Sequence, residues 1–91
     1  TKFYSEEETT KALNLKDRGN ELFKPQDYPA AIQAYSDSLF IFANSHIVYS
    51  YLALAFSRLG QHLNAIEDCD KAISLEPTYV KSYSRKGNAL M

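Results

Sequence analysis

The sequence predicts an all-α solenoid of helix–turn–helix units with a 34-residue period, two units complete and a third represented by its first helix, five helices in all. Three observations carry this. Residues of one kind recur at the same offset: Gly19, Ala53 and Gly87; Leu15, Tyr49 and Tyr83; Leu22, Phe56 and Leu90. Ala31 and Ala65 repeat likewise, followed by Ile32 and Ile66, Tyr35 and Cys69, and Leu39 and Ile73. Within each unit apolar residues return every three or four positions, the spacing of one helix face. Helix-stopping residues then fall between those faces.

The units divide as 12–45, 46–79 and 80–91, after a lead-in of residues 1–11. Ser5 and Glu8 have the spacing of a capping box for the opening helix, with Thr10 as the rival start. That helix ends near Lys24-Pro25. Asp27 can cap the second helix, with Pro29 in the first turn, where a missing N–H costs nothing. Tyr49, Leu52, Ala53, Phe56 and Leu59 form the face of the third helix, and Gly60 ends it in a left-handed conformation. Leu63, Ile66, Cys69, Ala72, Ile73 and Leu75 form the fourth, stopped at Glu76-Pro77. The small residues let paired helices approach closely, and Tyr35, Tyr49, Phe56 and Tyr83 fill the gaps between pairs. Stacked pairs build a superhelix whose first helices line a concave groove.

Composition excludes several functions. Ninety-one residues make one domain at most. A net charge of −1 supplies no global field for nucleic acid or an anionic membrane. A single cysteine, Cys69, rules out an internal disulfide framework and suits a reducing compartment, so a cytoplasmic location is expected. No apolar run approaches the roughly 18–20 residues that cross a bilayer. The polar start, with Glu6-Glu7-Glu8, lacks the pattern of a signal peptide. Without an initial methionine, and with Met91 falling in mid-pattern, the chain reads as a segment of something longer. The unfinished third unit, with apolar Leu90 on its outer face, points to self-association.

Charge is unevenly placed. The segments expected to line the groove, 12–24, 46–59 and 80–91, contain Lys16, Arg18, Lys24, Arg58, Lys81, Arg85 and Lys86. These are seven of the ten basic residues, against two of the eleven acids, Asp17 and Glu21, a balance of +5. A basic groove on a near-neutral chain suggests an acidic ligand. Lys16 and Asn20 are four apart and share a helix face, as do Lys81 and Arg85. Lysine offers a mobile charge, arginine a planar fork and asparagine a neutral donor. Together they suit a terminal carboxylate with a second carboxylate nearby.

The pattern resembles the tetratricopeptide repeat: large-x-x-Leu-small-x-x-aromatic, then Ala-x-x-x-aromatic, then Pro. The second unit supplies Tyr49, Leu52, Ala53, Phe56, Ala65, Cys69 and Pro77. The first departs with Arg18 at the leucine place and Ala43 at the proline place. The runs Lys16–Phe23 and Tyr79–Arg85 are similar to the carboxylate-clamp subclass, whose members are co-chaperones and chaperone-docked enzymes. That resemblance implies a partner: the C-terminal peptide, ending Glu-Glu-Val-Asp, of the cytosolic seventy- and ninety-kilodalton heat-shock chaperones. It also implies the peptide-binding residues. Lys16, Asn20, Lys81 and Arg85 match four clamp places, while Tyr51 stands where the family has asparagine. Tyrosine keeps a hydroxyl but adds a ring where the peptide end would lie.

No catalysis and no cofactor are expected. Cys69 reads as a small buried hydrophobe rather than a nucleophile. His46 and His62 lack metal-ligand spacing, and Asp68 and Asp70 point to different helix faces. The seven tyrosines fall largely at packing positions rather than forming a stacking platform for nucleic acid. Two alternatives keep the fold and change the role: a scaffold for a partner helix or a second copy, and the targeting module of a larger enzyme.

Overall fold

The computed structural model describes residues 5–90 and the side chains of residues 5–87; Leu90, expected on an exposed apolar face, has its side chain outside the described residues. Five α-helices follow in order: α1 Glu6–Phe23, α2 Tyr28–Ile41, α3 His46–Arg58, α4 His62–Leu75 and α5 Val80–Leu90. Consecutive helices pack as antiparallel neighbours, and α3 also packs on α5, so the first helices of the second and third units lie side by side. The arrangement is a stack of helix–turn–helix units, as the period predicts.

The helix starts follow local chemistry. Ser5 wins over Thr10 through a full capping box: the Glu8 N–H donates to Ser5 Oγ, and the Ser5 N–H donates to Glu8 Oε1. Helix α1 therefore begins within the expected lead-in. Asp27 caps α2 by accepting from the Ala30 N–H, and Ser45 caps α3 by accepting from the Val48 N–H.

The helix ends repeat with the period too. After α3, Gly60 takes φ +78°, and the Gln61 N–H reaches back to the Phe56 carbonyl. One period earlier Gln26 takes φ +67°, and the Asp27 N–H reaches the Leu22 carbonyl. The first unit thus makes the same left-handed closure without glycine, against steric resistance from its Cβ.

Two apolar clusters run through the stack. Ala31, Tyr35, Val48 and Leu52 form one, and Ala53, Ala65 and Cys69 the other, with Phe56 packed against both. Ser38 ties α2 to α1 by donating to the Ala12 carbonyl at 2.8 Å. Lys86 on α5 pairs with Asp70 on α4 at 2.7 Å. Cys69 is fully buried, and burial, with Asp68 and Asp70 nearby, pushes its thiol up to about 11, which keeps it protonated and inert.

Three expectations about packing need correction. Leu63 is 84% exposed, because it sits in the first turn of α4, where no described helix covers it. Tyr83 is 49% exposed rather than filling a gap between pairs. A Cβ at Gly87 would meet nothing within 4 Å, so the close approach expected there is absent among the described residues. In both α5 cases the outer face has no described helix against it.

Asp68 carries a pH dependence. Burial first, and Glu67 second, push its carboxyl up to about 6, with Lys71 opposing. The folded chain holds this proton more tightly than the unfolded chain. The resulting stability is fully present below the unfolded value near 3.8 and is lost as pH rises through about 6. Asp68→Asn, which mimics the protonated form, should raise the thermal midpoint more at pH 7.5 than at pH 4; equal shifts at both would refute this. Gln26→Gly should relieve the left-handed strain and stabilise the fold by about 1 kcal/mol, roughly 4–8 °C in melting temperature, read by thermal circular dichroism.

Candidate functional site

Helices α1, α3 and α5 carry the four residues singled out by spacing, Lys16, Asn20, Lys81 and Arg85, and Tyr51, singled out by the resemblance. Lys16 and Asn20 are half-buried one turn apart on α1, Tyr51 is half-buried on α3, and Arg85 is half-buried on α5 with the exposed Lys81 one turn before it.

A chain of contacts joins four of the helices. The Tyr35 hydroxyl on α2 donates to Asn20 Oδ1 at 2.5 Å. The Tyr35 and Tyr51 rings stack, 5.8 Å between centroids and 10° from parallel. The Arg85 guanidinium lies over the Tyr51 ring, its Cζ 5.0 Å from the centroid, a cation–π arrangement. Arg85 Nη1 also donates to the Ser50 hydroxyl, which is buried on α3 beside Tyr51. Asn20, Tyr51 and Arg85, residues 20, 51 and 85, are thereby brought into one cluster. Lys16 and Lys81 extend it along α1 and α5, with no ion-pair partner among the described residues.

Tyr51 does not stand up into the groove. Its ring lies flat on Tyr35 at the edge of the first apolar cluster. Its hydroxyl makes no hydrogen bond among the described residues, which leaves a donor available. Burial, with Tyr51 beside it, pushes the Tyr35 hydroxyl up to about 12 against the pull of Arg85, so Tyr35 remains a donor.

The charge tally by helix overstates the groove. Lys86 turns to Asp70 on α4, and Arg58 lies over the Phe23 ring at 5.9 Å. Arg18, two residues from Lys16 and from Asn20, falls on the opposite side of α1. Four of the seven cations remain: Lys16, Lys81 and Arg85, with Lys24 at the C-terminal cap of α1. Beside Lys16 a cavity of about 260 Å³ opens, walled by Ala12, Leu13, Ile47 and Val48.

Two residues escaped the sequence reading. By spacing Tyr35 reads as a packing residue alone, and Ser50 carries no signal in the period. The signal for Tyr35 lay in the period: the second unit has Cys69 at the equivalent place, so a hydroxyl appears only in the first. Among the described residues no group of three His, Cys, Asp or Glu has the arrangement of a metal site, and no helix is long and apolar enough to cross a membrane.

Comparison with known proteins gives the same picture. The profile of the tetratricopeptide repeat matches residues 46–79. The small glutamine-rich tetratricopeptide repeat-containing protein 2 of Mycosarcoma maydis is 43% identical over 86 residues, 94% of this chain and 24% of that protein. The Hsp70-Hsp90 organizing protein of Triticum aestivum is 39% identical over 72 residues, 79% of this chain and 12% of that protein. The chain thus spans a quarter or less of these two relatives. The second TPR domain of Spaghetti (RPAP3), solved bound to the HSP90 peptide SRMEEVD, matches with a TM-score of 0.87 and 30% identity, over 90% of this chain and 76% of that one. By its period, its five stacked helices and its match to most of that domain, the chain belongs to the tetratricopeptide repeat family.

Proposed function

We propose that this chain is a protein-interaction module, without catalysis of its own, that holds the acidic C-terminal tail of cytosolic heat-shock chaperones, of the Glu-Glu-Val-Asp type, in its concave groove. The observation that carries the reading is the cluster of Asn20, Tyr51 and Arg85, flanked by Lys16 and Lys81, which have no carboxylate partners among the described residues. Neutral donors and mobile cations around one point suit a chain-terminal carboxylate with an acidic side chain beside it.

Each residue takes a role that its chemistry allows. Lys16 and Asn20 hold the terminal carboxylate, by charge and by the amide N–H groups. Tyr51 adds its hydroxyl from the groove floor. Lys81 and Arg85 grip the side-chain carboxylates, and Arg85 is already oriented by Ser50 and Tyr51. The apolar cavity beside Lys16 suits an aliphatic residue of the same peptide. The names of the relatives support the partner: one organises the seventy- and ninety-kilodalton chaperones, and one domain was solved with a tail ending in Glu-Glu-Val-Asp. A cytoplasmic setting follows from that partner, and the period supports reading the repeat units as 12–45, 46–79 and 80–91.

A second reading, a scaffold that packs against a copy of itself, draws on Val80 and Tyr83, 76% and 49% exposed on α5. The two differ in which face is occupied.

Calorimetric titration with a peptide ending Glu-Glu-Val-Asp separates them. Binding in the micromolar range is expected, weakened by added salt and lost when the peptide is amidated. Arg85→Ala should weaken binding about ten- to hundredfold, the loss of a charge-assisted hydrogen bond. If neither the parent nor Tyr51→Asn binds, the clamp reading fails.

A further inference from the structure

Asn20 presents a planar amide with one acceptor and two donors. A peptide carboxylate needs the donors. An asparagine free to turn over would offer its oxygen as readily as its nitrogen, and the oxygen repels an anion. The structure contains a device that settles the orientation. The Tyr35 hydroxyl occupies Asn20 Oδ1 at 2.5 Å, which directs Nδ2 away from α2, and Nδ2 has no hydrogen-bond partner among the described residues.

The device is itself held in place. The Tyr35 side chain is fully buried, and its ring lies against Gly19, where an added Cβ would come within 2.5 Å of it. Stacking on Tyr51 constrains the other end of the contact chain. A ring packed this closely keeps its hydroxyl at one height on α1, that of Asn20. Burial pushes the hydroxyl up to about 12, so it keeps its proton at physiological pH and the bond to Asn20 Oδ1 keeps its donor.

We infer that Tyr35 is a positioning residue for peptide binding: its hydroxyl locks the Asn20 amide with the N–H₂ toward the groove, ready for a carboxylate. The inference rests on the proposed peptide-binding function and assigns part of its affinity to a residue that never touches the peptide. Preorganisation of this kind removes an ordering cost that binding would otherwise meet.

The test is a double-mutant cycle on the whole chain, with Tyr35→Phe, Asn20→Ala and the combination, titrated with a peptide ending Glu-Glu-Val-Asp. Tyr35→Phe keeps the ring, the stack and the fit over Gly19, and circular dichroism checks that the fold is retained. The expected result is about five- to tenfold weaker binding for Tyr35→Phe, and less than a twofold effect of the same change once Asn20 is alanine. A purely structural tyrosine would weaken both backgrounds alike. That outcome, or unchanged affinity in Tyr35→Phe, overturns the inference while leaving the function reading intact. A parent protein that does not bind the peptide overturns the function reading and this inference with it.

Discussion

The packing of one aromatic ring on one glycine organises the first half of this molecule. Tyr35 reaches its buried place because Gly19 has no side chain, and from there it supports both the core and the groove. The second unit solves the same problem with different volumes: Ala53 replaces the glycine and Cys69 replaces the tyrosine. A larger small residue faces a smaller large one, so the two volume changes oppose each other while the contents change. The exchange has a functional side. Only the glycine–tyrosine version places a hydroxyl beside the groove.

From Tyr35 the contacts run outward to Tyr51 and Arg85, so the groove floor is continuous with the hydrophobic core. Binding residues held by a core lose little freedom when a ligand arrives. The charge on this surface is modest, since the chain as a whole carries −1. The positive charge of the groove comes from a few cations without carboxylate partners among the described residues, while an acid such as Asp70 is engaged by Lys86. Tyr51 fits this arrangement by lying flat: its ring extends the core while its hydroxyl has no hydrogen-bond partner among the described residues.

Much of the architecture was legible in the sequence because it rests on local chemistry. The period, the caps at Ser5 and Asp27, the glycine closure at Gly60 and the stop at Glu76-Pro77 each act within a few residues. Lys16, Asn20, Lys81 and Arg85 were legible as two pairs at helical spacing. What was not legible depended on contacts between helices. Lys86 counts as a groove cation by its helix, but it turns to Asp70 on the neighbouring one. Leu63 belongs to an apolar stripe, yet nothing described covers that turn. The strained Gln26 follows from a closure that needs φ > 0, which the residue type gives no hint of. The Tyr35 hydroxyl was hidden behind a packing role that its ring performs equally well.

The central claim is that a peptide carboxylate is held at the cluster joining α1, α3 and α5. Side-chain NMR during titration with a peptide ending Glu-Glu-Val-Asp tests it most directly. The account predicts saturable shifts in the Asn20 amide pair and the Arg85 guanidinium. Shifts confined to the exposed face around Leu63, with Asn20 and Arg85 unmoved, would contradict it.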